Sequence, residues 1–167
     1  AEWILAWERL RKKYGHVRIL ITGGEPFIYP QFVELIHNLS QDFSIGFDTN
    51  LSCSKELLVD FAEKTKRSNI SMGLSFHPQF AEYESFLEKA LFLKEKGYQI
   101  CVQYVSYPQQ IQSMPLYRDK FKDNELYFIP LPFRGSYKGL NYPASFNQED
   151  RKLIYNRRIK HEGIVEV

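Results

Sequence analysis

Ile19-Leu20-Ile21-Thr22 runs straight into Gly23-Gly24-Glu25-Pro26. An apolar run of strand character thus ends on two glycines, an acid and a proline. Glycines there either make a tight strand-to-helix turn or let the backbone approach a ligand closely. The acid beside them is suited to holding a cation such as an ammonium group. Similar short polar sets follow other apolar runs: Asp48-Thr49-Asn50, Ser75-Phe76-His77 and Arg134. Thr49 and Ser75 offer hydroxyls to a ligand or to nearby backbone. Asp48 and Asn50 are also ordinary turn residues. His77 can bind a ligand or relay a proton, or be structural. Arg134 can clamp an anion or make a surface ion pair.

These residues need elements to position them. Five β-like runs stand out: 17–22, 43–48, 70–75, 99–106 and 126–131. Their start positions differ by 26, 27, 29 and 27 residues, the size of one strand, one helix and two loops. Helical stripes lie between them. Trp3, Ile4, Trp7 and Leu10 precede the first strand, with Gly15 beyond. Phe32, Leu35, Ile36 and Leu39 form the next stripe, with Pro30 at a first helical position. Leu57, Leu58, Phe61 and Ala62 follow Ser54, a good N-cap. Phe86, Leu87, Ala90, Leu91 and Leu93 end on Lys94, Lys96 and Gly97, a C-terminus signal. A weaker helix begins near Pro115.

Alternating helix and strand predicts parallel strands with right-handed crossovers. Ligands in such folds sit at the carboxyl ends of the strands. Gly23 to Glu25, Asp48 to Asn50, Ser75 to His77, Ser106 to Tyr107 and Phe133 to Arg134 should therefore share one mouth. Beyond Arg134, Gly135, Gly139 and Pro143 read as loop. Asn147 is a candidate N-cap for a short basic helix holding Leu153 and Ile154. The basic residues Arg151, Lys152, Arg157, Arg158 and Lys160 read as its solvated face. The expected division is a core over 1–134 and an extension over 135–167.

Composition narrows the function classes. The sequence has 167 residues, 44% hydrophobic and 16% aromatic, enough for one sizeable core. A closed eight-unit barrel needs about 250 residues and is excluded. A net charge of +2 gives no field that argues for nucleic acid. No apolar run has the length of a membrane span. Cys53 and Cys101, 48 positions apart, make neither a disulfide framework nor a four-ligand metal site. Cys53 reads as a packed loop thiol and Cys101 as buried in its strand. Such cysteine use points to the cytoplasm.

Thr22-Gly23-Gly24-Glu25-Pro26 resembles the Gly-Gly-Glu-Pro motif of the radical S-adenosylmethionine (SAM) enzymes. Phe47-Asp48-Thr49-Asn50 is similar to the segment ending the third strand of that family. Leu74-Ser75-Phe76-His77 is placed like the end of its fourth. The resemblance covers roughly residues 1–134. It implies a partial (β/α)6 barrel of radical SAM type with the first strand missing, a parallel open curved sheet. It also implies SAM held by Gly23, Gly24 and Glu25 at the amine, Thr49 at the carboxylate and Ser75 at the ribose, with Pro26, Asn50 and His77 as further expected cofactor contacts. Arg134 is the expected substrate contact.

The implied reaction is reductive cleavage of SAM to a 5′-deoxyadenosyl radical that abstracts hydrogen from a small-molecule or peptide substrate. A flavodoxin- or ferredoxin-type reductant is implied as partner. The family's Cys-x3-Cys-x2-Cys, which binds a [4Fe-4S] cluster, is absent, so the cluster ligands are expected outside this chain. Here Leu51 replaces a frequent Gly, and Gln99 to Val105 lack the Gly-rich pattern by the adenine. Two alternatives stay open: a non-catalytic SAM- or nucleotide-binding module, and a doubly wound sheet whose Gly-Gly turn binds phosphate. With the first strand missing, 17–22 should present an exposed apolar edge prone to self-association.

Overall fold

A computed structural model describes residues 2–155. Five strands form one parallel sheet in sequential order: β1 (Arg18–Ile21), β2 (Ser44–Thr49), β3 (Ile70–Phe76), β4 (Gln99–Ser106) and β5 (Phe128–Pro132). The helices are α1 (Glu2–Tyr14), α2 (Phe32–Ser40), α3 (Lys55–Lys64), α4 (Tyr83–Glu95) and α5 (Met114–Asp123). After β5 come β6 (Gly135–Tyr137), β7 (Leu140–Tyr142) and α6 (Gln148–Tyr155).

Strand alternation assigns the two faces of the sheet. Ile19, Ile45, Phe47, Met72, Leu74, Phe76, Val102 and Tyr104 point to one face and are buried. They share one core with Ile36 and Leu39 of α2, Leu58 and Phe61 of α3, Phe86, Ala90 and Leu93 of α4, and Phe121 of α5. Ile4 and Trp7 of α1 pack against the same core. The helices preceding and linking the strands therefore all cover one face. A doubly wound sheet places helices on both faces and reverses its strand order at a switch point. Neither occurs here, so that alternative is overturned. The opposite face carries Leu20, Gly46, Asp48, Ser71, Gly73, Gln99, Cys101 and Gln103, and no described helix covers it.

Local chemistry sets the element ends. Ser54 caps α3 by accepting from the Leu57 amide at 3.3 Å. Asn147 accepts from the Asp150 amide at 2.8 Å at the start of α6. α2 differs from expectation: Pro30 lies before its cap residue Gln31, in the turn that follows a short 3-10 segment, Pro26–Ile28. β5 tolerates Pro130 and Pro132 because it is an edge strand. At the other edge, β1 has no neighbour beyond it among the described residues, and Leu20 is 66% exposed.

The segment read as loop after Arg134 is instead a hairpin. Tyr137 pairs with Leu140, leaving Lys138 and Gly139 as a two-residue turn. Their φ values, 48° and 75°, are both left-handed, the signature of a type I′ turn that matches strand twist. Its Tyr142 joins a satellite core of Ile111, Phe146 and Ile154, which is also packed with Phe133 and Leu153. Arg157, Arg158 and Lys160 lie outside the described residues, as does the side chain of Trp3.

Candidate functional site

β1 delivers Gly23 and Gly24 to the carboxyl end of the sheet. Gly23 has φ +142°, and a Cβ at either glycine would meet nothing within 4 Å. Their backbone is bare and open to a ligand. Phe27 pins the next turn. Its ring lies 5.2 Å from Phe32, 5.4 Å from Phe61 and 6.2 Å from Phe47, edge-on to each. Such contacts are each worth about 0.5–1.5 kcal/mol beyond burial.

That anchoring fixes Glu25 between β1 and β2. Its Oε1 accepts from the Thr49 hydroxyl at 2.7 Å and from the Phe27 amide at 3.2 Å. Its Oε2 accepts from the Asn50 amide at 2.7 Å. Thr49 is buried, and its oxygen also accepts from the Leu51 amide at 3.1 Å. The Thr49 hydroxyl is thus committed to holding Glu25 and the following loop. Asn50 uses its side-chain oxygen to accept from the Ser52 amide at 2.8 Å.

A cavity of about 390 Å³ opens beside these residues, at the ends of β2 and β3 and the start of α4. Asn50, Ser75 and His77 line it together with Ser52, Phe80 and Lys89. Burial holds the His77 imidazole below its ordinary pKa, favouring the neutral ring. Phe80 stands 86% exposed at the rim. Lys89 donates to the carbonyls of Leu51 at 2.8 Å and Cys53 at 2.7 Å. Those bonds hold the loop where Leu51 takes a left-handed φ of 56°.

Ser75 belongs to a polar ladder on the helix-free face. It donates to Gln103 Oε1 at 3.2 Å, and Gln103 Nε2 donates to Asp48 Oδ1 at 3.0 Å. The ladder passes over Gly73, where a Cβ would collide with both Asp48 and Gln103. Glycine is required there by close approach of side chains from both neighbouring strands.

Two groups of expected residues thus meet. Glu25, Thr49 and Asn50 are joined by hydrogen bonds, and Asn50, Ser75 and His77 share a cavity. Arg134 stands apart, exposed, beyond β5, with no side-chain hydrogen bond or ion pair among the described residues. Sequence reading missed Lys89, Phe80 and Gln103; of the two readings left open for Asp48, the last residue of the expected strand or a turn residue, the structure gives the strand, β2. The signal that could have found Gln103 is alternation: Gln99, Cys101 and Gln103 put polarity at every second position of β4. Cys101, expected to be buried, is only half-buried and lines the helix-free face. Cys53 is half-buried too, its thiol pushed up to about 11 mainly by burial. Among the described residues no three His, Cys, Asp or Glu side chains are grouped to hold a metal ion.

Several solved structures share this architecture. Streptococcus suis SuiB bound to S-adenosylmethionine matches with a TM-score of 0.59 at 19% identity, over 83% of this chain and 35% of SuiB. SuiB bound to precursor peptide SuiA matches with a TM-score of 0.60 at 20% identity, over 76% and 32%. His-tagged anSMEcpe with bound AdoMet matches with a TM-score of 0.55 at 14% identity, over 76% and 40%. All are radical SAM enzymes. The fold is that of the radical SAM partial barrel.

At these identities the likeness is one of fold. The chain spans about a third of the length of SuiB and 40% of that of anSMEcpe. No protein-family model and no curated protein matches it. No helix among the described residues is long and apolar enough to cross a membrane.

Proposed function

We propose that this chain is the SAM-binding part of a radical SAM core. The observation that carries the reading is the Gly23-Gly24-Glu25 turn, with its glycine backbone open and its carboxylate fixed by Thr49 and Asn50. It stands at a strand end in a fold shared with SuiB and anSMEcpe, both solved with SAM bound.

The residues present fit SAM. Glu25 uses three of its acceptor positions internally and keeps capacity for an ammonium group. The bare backbone of Gly23 and Gly24 leaves room for the same group. Asn50 presents its side-chain amide, and Ser75 a hydroxyl suited to the ribose. His77, kept neutral, can accept from a ribose hydroxyl. Tyr107, Phe133 and Tyr137 cluster beyond β4 and β5, with Tyr107 4.9 Å from Phe133 and 5.1 Å from Tyr137. Such rings suit a nucleobase face. Thr49 is a positioning residue for Glu25.

The chemistry SAM supplies when bound is one-electron reductive cleavage leading to hydrogen abstraction. That chemistry requires a [4Fe-4S] cluster, and the residues here do not fit one. Clusters are held by thiolates. Cys53 and Cys101 are the only cysteines, and burial keeps both thiols protonated at neutral pH. Cluster ligands from outside this chain are therefore part of the proposal, as are a flavodoxin- or ferredoxin-type reductant and a cytoplasmic setting. A peptide substrate is the favoured class, because SuiB binds one. The same lack of ligands supports a second reading, a SAM-binding module without catalysis.

The test is SAM binding by calorimetry. Glu25→Ala and Ser75→Ala should each weaken it by about 1–3 kcal/mol. Unchanged binding in both variants would overturn the site. Anaerobic reconstitution of the full gene product with iron and sulfide separates the two readings. A reducible [4Fe-4S] spectrum with SAM cleavage supports the enzyme, and its absence the binding module.

A further inference from the structure

The helix-free face of the sheet forms a trough of about 420 Å³ below the SAM site. Two opposite charges face it. Arg18 reaches across Gly46 and donates from Nη2 to the Ser71 hydroxyl at 3.0 Å. That neutral hydroxyl is its only side-chain partner among the described residues. Asp48 reaches across Gly73, and its only side-chain hydrogen-bond partner among the described residues is the neutral carboxamide of Gln103. The guanidinium keeps free donors and the carboxylate a free oxygen, and the two make no ion pair with each other.

Their spacing is readable from the sheet. Arg18 is tied to Ser71, and Asp48 lies against Gly73, two residues farther along β3. Two residues of strand span about 6.6 Å. The ammonium and carboxylate of an α-amino acid are about 3 Å apart. Adding a charge-assisted bond of about 2.8 Å at each end gives a reach of up to about 8.6 Å. One small zwitterion can therefore touch both charges, with its carboxylate on Arg18 and its ammonium on Asp48. Gln99 and Cys101 add uncharged polar groups to the wall, and Leu20 an apolar one.

We propose that this trough binds a free α-amino acid, read at both charges by Arg18 and Asp48. Neither residue takes part in the SAM assignment, so this site goes beyond that reading and can fail or stand without it. Internal peptide segments have no free ammonium and carboxylate on one carbon, and they are the competitor to be rejected.

The experiment is saturation-transfer NMR on the 167-residue chain with two probe mixtures. One holds the free L-α-amino acids, the other the same residues as N-acetyl amides. Signal transfer to at least one free amino acid and to none of the blocked ones is expected. Arg18→Gln and Asp48→Asn should each weaken that binding by roughly tenfold or more. Both positions are exposed, and a thermal melt of each variant confirms folding. SAM titrated alongside should respond to Glu25→Ala, which leaves amino-acid binding unchanged. The proposal is overturned by equal binding of the blocked amino acids, by no binding of any free one, or by unchanged affinity in both charge variants.

Discussion

Thr49 donates its hydroxyl to Glu25 Oε1 at 2.7 Å, joining residues 24 positions apart. The same oxygen accepts from the Leu51 amide. One buried side chain thus ties the glycine turn after β1 to the loop after β2. Thr49→Val keeps the shape and removes both bonds. It should cost about 1–3 kcal/mol of stability in urea unfolding, because the Leu51 amide loses a buried partner. It should also weaken SAM binding, whereas Thr49→Ser should restore most of both.

Phe27 holds the other side of the same turn. Phe27→Ala opens a cavity among Phe32, Phe47 and Phe61 and should cost about 3–5 kcal/mol. Phe27→Leu should cost less. Equal melting temperatures for wild type and Phe27→Ala would contradict this account of the turn.

Gly73 sits under the Asp48–Gln103 bond. Gly73→Ala forces both side chains aside and should destabilise by about 1–3 kcal/mol. Pairing it with Gln103→Ala removes one of the colliding groups. The double variant should therefore lose less than the sum of the two single changes.

The two thiols should resist alkylation in the native chain. Burial raises Cys53 to about 11 and moves Cys101 in the same direction. The thiolate is the reactive form. Iodoacetamide labelling of native protein should be slow at pH 8 and quicken as pH rises toward 11. Unfolded protein should label rapidly at pH 8. Raised thiol pKa values also mean that their contribution to stability is complete below the unfolded value of 9.0 and fades above it.

His77 predicts the opposite edge of the pH profile. Its pKa is lowered by burial, so the unfolded chain binds more protons than the native one just below pH 6.5. Stability from this residue is present above 6.5 and lost as pH falls through the native pKa. His77→Gln should flatten that part of the profile in denaturant titrations at pH 5 to 7. An imidazole NMR titration at or above 6.5 would contradict it.

Much of the sheet was legible because burial imposes local patterns. β2, β3 and β4 are apolar runs of strand length at a nearly constant step, and β4 was read with the bounds it has, Gln99–Ser106. Ser54 and Asn147 act as caps because a short polar side chain before a helix meets free amides whatever the tertiary context. The Gly-Gly-Glu-Pro turn was legible for a similar reason, since few residue types suit a bare turn at a strand end. The β6–β7 hairpin was missed although Lys138-Gly139 marks its turn. Its strands are three residues long and gain burial only against a distant satellite core.

By itself, the sequence determined the order of elements through β5, the parallel strand-helix alternation and the strand ends at which Glu25, Asn50 and Ser75 stand. Periodicity and turn chemistry are local, and each residue carries them wherever the chain goes. Only the tertiary structure decided that the core helices cover one face, leaving the other as a trough with Arg18 and Asp48 in it. Only it decided that the Thr49 hydroxyl serves Glu25, that Gln103 bridges Ser75 and Asp48, and that Lys89 of α4 holds the carbonyls of Leu51 and Cys53. Each of those relations joins positions on different elements. Their geometry is set by strand register and helix packing, which appear only when the whole core forms.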